Sequence, residues 1–194
     1  MSMSLPLSVA AAPILWRRLD VPGHDAASLQ MDGDGAVLSG MAAFHEGAPT
    51  ALAYVVHADP EWKTTEGHVW GWRGPDAIDL RLHRDSAGSW TLNDELCAEV
   101  QGCMDLDLSF TPATNLLPLR RLSLGIGRSA EVRSAWLEWP EVRLTPLVQR
   151  YARRTEIEYD YESDMPGGEL FRSTLLVQPD GWVLDYGGLW RVQE

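Results

Sequence analysis

The 194 residues include 16 basic and 28 acidic side chains, a formal charge of −12, with 45% hydrophobic and 23% charged residues. A chain of this length and composition buries most of its unfolded surface without staples, which excludes disorder, collagen-like repetition and a membrane-spanning chain. The acidic balance has the wrong sign for neutralising phosphates and excludes nucleic acid and anionic membrane surfaces as partners.

The chain opens on an apolar stretch, Leu5 to Trp16, that contains the small-residue run Ala10, Ala11, Ala12. No Lys or Arg precedes it, Pro6 and Pro13 interrupt it, and Arg17 and Arg18 follow it, which inverts the charge order of a secretory signal. The expectation is a cytoplasmic chain. No run of eighteen apolar residues predicts a transmembrane helix.

Beyond that stretch, helical periodicity is scarce and short apolar/polar alternations recur between turn clusters. Strands are predicted at Ile14–Leu19, Ala36–Phe44, Ala51–Ala58 and Lys63–Trp72. The clearest runs from Ala77 to His83, with Ile78, Leu80 and Leu82 on one face and Asp79, Arg81 and His83 on the other. Further strands are predicted at Cys103–Phe110, Val132–Trp139 and Leu147–Arg154. Across Glu156–Glu162, Ile157, Tyr159 and Tyr161 alternate with acids, and Leu170–Gln178 and Gly181–Tyr186 complete the set.

Met31-Asp32-Gly33-Asp34-Gly35, Glu46-Gly47-Ala48-Pro49, Met165-Pro166-Gly167-Gly168 and Pro179-Asp180-Gly181 supply the turns. Strands joined this tightly pair antiparallel. The fold expected is all-β: one domain over residues 1–194, an antiparallel sheet curled into a barrel or half-barrel, with little helix. Aromatic residues, turns and strands recur at an offset of about 90 residues, so halves near 14–110 and 111–192 are consistent with a duplicated half-barrel or with two ordinary meanders.

Signatures of catalysis are sparse. There is no Gly-x-Ser-x-Gly elbow, phosphate-cradling loop or dinucleotide fingerprint. His45-Glu46 begins like a zinc-protease helix, but Pro49 stands where the second histidine belongs, and His57 with His68 would make half a metal site at most. Cys97 and Cys103 read as buried or half-buried free thiols. No cofactor or metal is expected. Asp105 and Asp107 share a strand face, so they either look into a cavity, where burial and mutual repulsion raise a pKa, or join Arg120 and Arg121 in a structural ion-pair cluster. Nine tryptophans and five tyrosines fall mostly on strands. Rings such as Trp16, Tyr54, Trp70, Trp136 and Tyr186 suit either a cavity wall that receives sugars or lipid head groups, or simple core filling.

The block Gly102-Cys103-Met104-Asp105-Leu106-Asp107-Leu108, continued by Thr111-Pro112-Ala113-Thr114-Asn115-Leu116-Leu117-Pro118-Leu119-Arg120-Arg121-Leu122, resembles the glycolipid-binding family of bacterial proteins. Trp16 to Asp20, Pro22-Gly23, Gln149, Tyr151, Val183 to Tyr186 and Leu189-Trp190 extend the likeness over nearly the whole chain. The resemblance implies an incomplete barrel similar to bacterial lipoprotein carriers, with an apolar cavity and a lipid or glycolipid ligand. It also implies ligand-site candidates: Asp105, Asp107, Thr111, Thr114, Asn115, Arg120, Gln149 and Tyr151, to which the aromatic reading adds Trp16 and Trp70. The function expected is a non-enzymatic carrier or sensor, monomeric or homodimeric. Two alternatives stay open: an enzyme using Asp105 or Asp107 as acid/base on a small hydrophobic or glycosidic substrate, and a dimerising structural module.

Overall fold

The computed structural model describes residues 11–165 and 167–193. The apolar stretch before Ala11 and position 166 of the Met165–Gly168 turn lie outside the described residues. The chain begins with β1 (Ile14–Arg18), β2 (Gly23–Asp32), β3 (Gly35–Glu46), β4 (Ala48–Ala58), β5 (Thr64–Arg73), β6 (Asp76–Arg84), β7 (Trp90–Leu92) and β8 (Glu95–Leu96). After β9 (Asp105–Leu108) comes the helix α1 (Leu116–Leu122). Then follow β10 (Ser129–Glu138), β11 (Arg143–Arg153), β12 (Glu158–Asp164), β13 (Leu170–Val177), β14 (Val183–Tyr186) and β15 (Trp190–Val192).

All fifteen strands form one sheet in the order 8-7-6-5-4-3-2-1-15-14-13-12-11-10-9. Two meanders therefore run outward from a seam where β1 pairs with β15. Every pairing is antiparallel except β9 with β10. That exception has a topological cause: the residues between these strands include α1, and a crossover of this length can return the chain in the same direction. The sheet is open, with β8 and β9 at its edges, but it curls until β9 meets the start of β5. There the Thr64 amide donates to the Met104 carbonyl at 2.9 Å, and the Leu106 amide donates to Thr64 Oγ1 at 3.0 Å.

Inward parity follows the alternation read in the sequence. In β6, Leu80 and Leu82 are buried while Asp79, Arg81 and His83 are exposed. Register then stacks inward residues into rows across strands, such as Leu29, Leu38 and Val56. A neighbouring row contains Ala27, Gly40, Tyr54, Val69 and Leu80. The expected hollow is largely filled, because Trp16, Trp90, Trp182, Tyr54 and Phe110 are fully buried with leucines from both meanders. One expectation changes: Ile157 is 44% exposed, since alternation in β12 begins at Glu158. Cys97 and Cys103 are free thiols, half-buried and buried respectively, as the sequence reading expected.

The helix α1 falls between the predicted strands Cys103–Phe110 and Val132–Trp139, where the sequence reading places no element. Pro118 sits in its first turn, where a missing N–H costs nothing, and the helix stops at Ser123, whose backbone is left-handed (φ 42°). Arg120 and Arg121 occupy the last turn, where positive charge complements the helix dipole.

Candidate ligand site

Beside the family-like block lies a cavity of about 140 Å³ in the second meander. Every strand from β9 to β15 contributes to it, together with Ser109, Thr111 and Asn115 from the segment leading into α1. Of its lining, Asp107, Trp136, Phe171, Tyr186 and Leu189 are half-buried, and Thr111, Asn115, Tyr161, Ser163 and Trp190 are buried. A space of this size admits one six-membered ring, as an engineered cavity of about 150 Å³ admits benzene, and falls well short of the roughly 300 Å³ where drug-sized pockets begin.

Asp105 and Asp107 leave the same face of β9 but meet different partners. Asp105 is 1% exposed and ion-paired with Arg121 from α1, through Nε at 3.3 Å and through Nη2. Burial pushes its carboxyl up, and the charges of Arg121 and Arg84 pull it back. Asp107 lines the cavity, and its Oδ2 accepts a hydrogen bond from Gln149 Nε2 at 2.6 Å. Burial, with a smaller contribution from Asp105, pushes the Asp107 carboxyl up to about 6 against the opposing effect of Gln149.

Gln149 stands directly behind this wall. Its Oε1 accepts from Ser134 Oγ at 2.6 Å, so its Nε2 is turned toward Asp107 and toward Tyr161 Oη at 2.8 Å. Tyr151 Oη donates to Asn115 Oδ1 at 2.8 Å, and Asn115 Nδ2 donates to the Pro112 carbonyl at 3.2 Å. Burial pushes the Tyr161 phenol up to about 12 and raises Tyr151 and Tyr186 well above the usual phenol range, so all three are neutral hydrogen-bonding groups near neutral pH.

Of the candidates read in the sequence, Asp107, Thr111 and Asn115 thus line the cavity, with Gln149 and Tyr151 in the layer that orients them. Thr114 accepts from the Leu108 amide at 3.2 Å and fixes the turn after β9. Arg120 points elsewhere: its Nε donates to the Asp180 carbonyl at 2.8 Å and its guanidinium lies 4.7 Å from the Trp62 ring centroid. It therefore ties α1 to turns of both meanders, and the partner of the acidic strand is Arg121. Trp16 is fully buried, donating to the Val183 carbonyl at 2.6 Å and packed edge-on against Trp182. Trp70 is 39% exposed on the outer face of β5, stacked on His68, which itself pairs with Asp79 at 2.8 Å.

Sequence reasoning missed Ser109, Ser163, Phe171 and Trp190 in the lining. Ser163 was within reach, being the next inward position after Tyr159 and Tyr161. It also missed Asp25, which is fully buried on β2 behind Thr111. Tyr54 Oη donates to Asp25 Oδ2 at 2.9 Å, and Thr111 Oγ1 donates to the same oxygen. Burial pushes the Asp25 carboxyl up to about 6 despite these bonds.

These features define a class: an open, strongly curled antiparallel sheet with a small aromatic cavity beside its one parallel strand pair. Residues 13–192 match the sequence model of the family described as "Putative glycolipid-binding", and the chain belongs to that family. A crystal structure of a DUF1089 family protein from Pseudomonas aeruginosa is similar at 29% identity, with a TM-score of 0.74 over 86% of this chain and 91% of that chain. No curated relative matches the chain. Among the described residues no helix is long and apolar enough to cross a membrane.

Proposed function

We propose that this protein is a non-enzymatic carrier or sensor of glycolipid that receives a single sugar ring of the head group in the cavity. The observation that carries the reading is the pairing of aromatic and polar side chains in the lining of a ring-sized space: Trp136, Tyr161, Tyr186 and Trp190 supply aromatic rings, while Asp107, Ser109 and Asn115 supply hydrogen-bonding groups. Acyl chains then lie outside the cavity, since 140 Å³ has no room for them beside a ring. A hydrolytic reading needs two carboxylates flanking the scissile bond, and this lining brings one, Asp107, while Asp105 is closed off by Arg121. The same proposal places the carrier in the cytoplasm as a monomer or homodimer.

The test is titration of tryptophan fluorescence with octyl β-D-glucoside below its micellar concentration, on the wild type and on Trp136→Ala. Saturable quenching in the wild type, weakened at least tenfold in the variant, supports the reading. Absence of saturable change in the wild type overturns it.

A further inference from the structure

We infer, on the basis of the head-group reading above, that the group entering the cavity is positively charged, an amino sugar or comparable ammonium-bearing head, and that Asp107 is its counter-charge. Among the described residues, the lining holds one carboxylate and no Lys, Arg or His. Asp105, two residues earlier on the same strand, is matched by Arg121, whereas the hydrogen bond to Asp107 comes from the neutral amide of Gln149. The amide is itself held by Ser134, so the carboxylate is aimed before anything binds.

Burying a carboxylate without a cation is costly, and a ligand that brings the cation recovers that cost, whereas a phosphate, sulfate or carboxylate head would add to it. A neutral sugar hydroxyl recovers less, because hydrogen bonds between two ionised partners are the stronger kind. The walls point the same way: the rings of Trp136, Tyr161, Phe171, Tyr186 and Trp190 border the same space, and aromatic faces attract cations placed among them. The raised proton affinity of Asp107 agrees, since burial leaves its negative charge poorly stabilised.

The experiment compares D-glucosamine, N-acetyl-D-glucosamine and D-glucose on the full chain at pH 7 by calorimetry, then repeats the series on Asp107→Asn. The inference expects glucosamine to bind at least tenfold tighter than the two neutral sugars, and expects Asp107→Asn to erase that preference. Equal affinities in the wild type overturn the inference and leave the head-group reading standing; a preference that survives in Asp107→Asn also overturns it. Failure of all three sugars to bind overturns the inference and the head-group reading together. The wild-type comparison needs no variant, so a poorly folding Asp107→Asn does not shield the inference.

Discussion

Tyr54 reaches across β3 to donate its hydroxyl proton to Asp25 Oδ2 at 2.9 Å, while Asp25 Oδ1 is buried with no hydrogen-bond partner. The carboxyl titrates at about 6 in the fold against 3.8 ordinarily, so between those values the folded protein binds more protons than the unfolded chain. Stability from this group is therefore fully present below about pH 4 and is lost as pH rises to about 6, a swing of about 3 kcal/mol. Asp25→Asn should remove that dependence. Urea unfolding from pH 4 to 7 checks it: the wild-type and variant stability curves should converge or cross across this range, and parallel curves would refute the assignment.

The same contact explains Gly40, which stands opposite Tyr54 in the register between β3 and β4. A Cβ there would lie 2.3 Å from Tyr54 Oη and 2.6 Å from the Ala26 carbonyl oxygen, a backbone atom that cannot swing aside. Gly40→Ala should destabilise by about 1–3 kcal/mol or more, lowering Tm by several degrees. Gly33→Ala, where a Cβ meets nothing within 4 Å, should be close to neutral by the same calorimetric scan.

Arg121 and Arg120 should separate cleanly although they are neighbours. Arg121→Gln leaves Asp105 buried without its cation and should cost about 3–5 kcal/mol, part of it recovered by adding Asp105→Asn. Arg120→Gln removes the bond to the Asp180 carbonyl and the stacking on Trp62, so it should lower stability without changing sugar affinity. Denaturant midpoints and binding isotherms on the three variants decide the matter.

Binding of glucosamine should weaken about tenfold per pH unit below about 6, because the ionised form of Asp107 is the one that pairs with the ammonium. Facing Asp107 are Gln149 and Tyr161, with Asp105 along the strand; the phenols of Tyr161 and Tyr186 stay neutral throughout this range. Asp25 also titrates near 6 behind Thr111, so the profile should persist in Asp25→Asn and vanish in Asp107→Asn. Calorimetry from pH 5 to 7.5 reads both.

Legibility in the sequence followed the strength of local pattern. β6 and most of the other long strands were readable because large apolar and charged side chains alternate, which is the period a half-buried strand imposes. β2 was missed because Ala26, Ala27 and Ser28 blur that alternation, and with it went Asp25, a lone acid at inward parity. The cavity has no local motif, since its lining comes from segments between Asp107 and Trp190. Nor does an inward tryptophan announce its partner: Trp16 is committed to a carbonyl 167 residues away, while Trp136 borders the cavity. The likeness of the block from Gly102 to Leu122 located the right neighbourhood, but only geometry distinguishes Asp107 at the cavity from Asp105 at Arg121.

The seam between β1 and β15 joins the first of the described strands to the last. A ribosome emits β1 about 170 residues before its neighbour exists, so throughout synthesis one side of β1 is an unsatisfied ladder open to any extended segment. The two meanders can each zip locally, but their union waits until β15 has been made, and this long-range step should be the slow one in refolding, when stray association competes most.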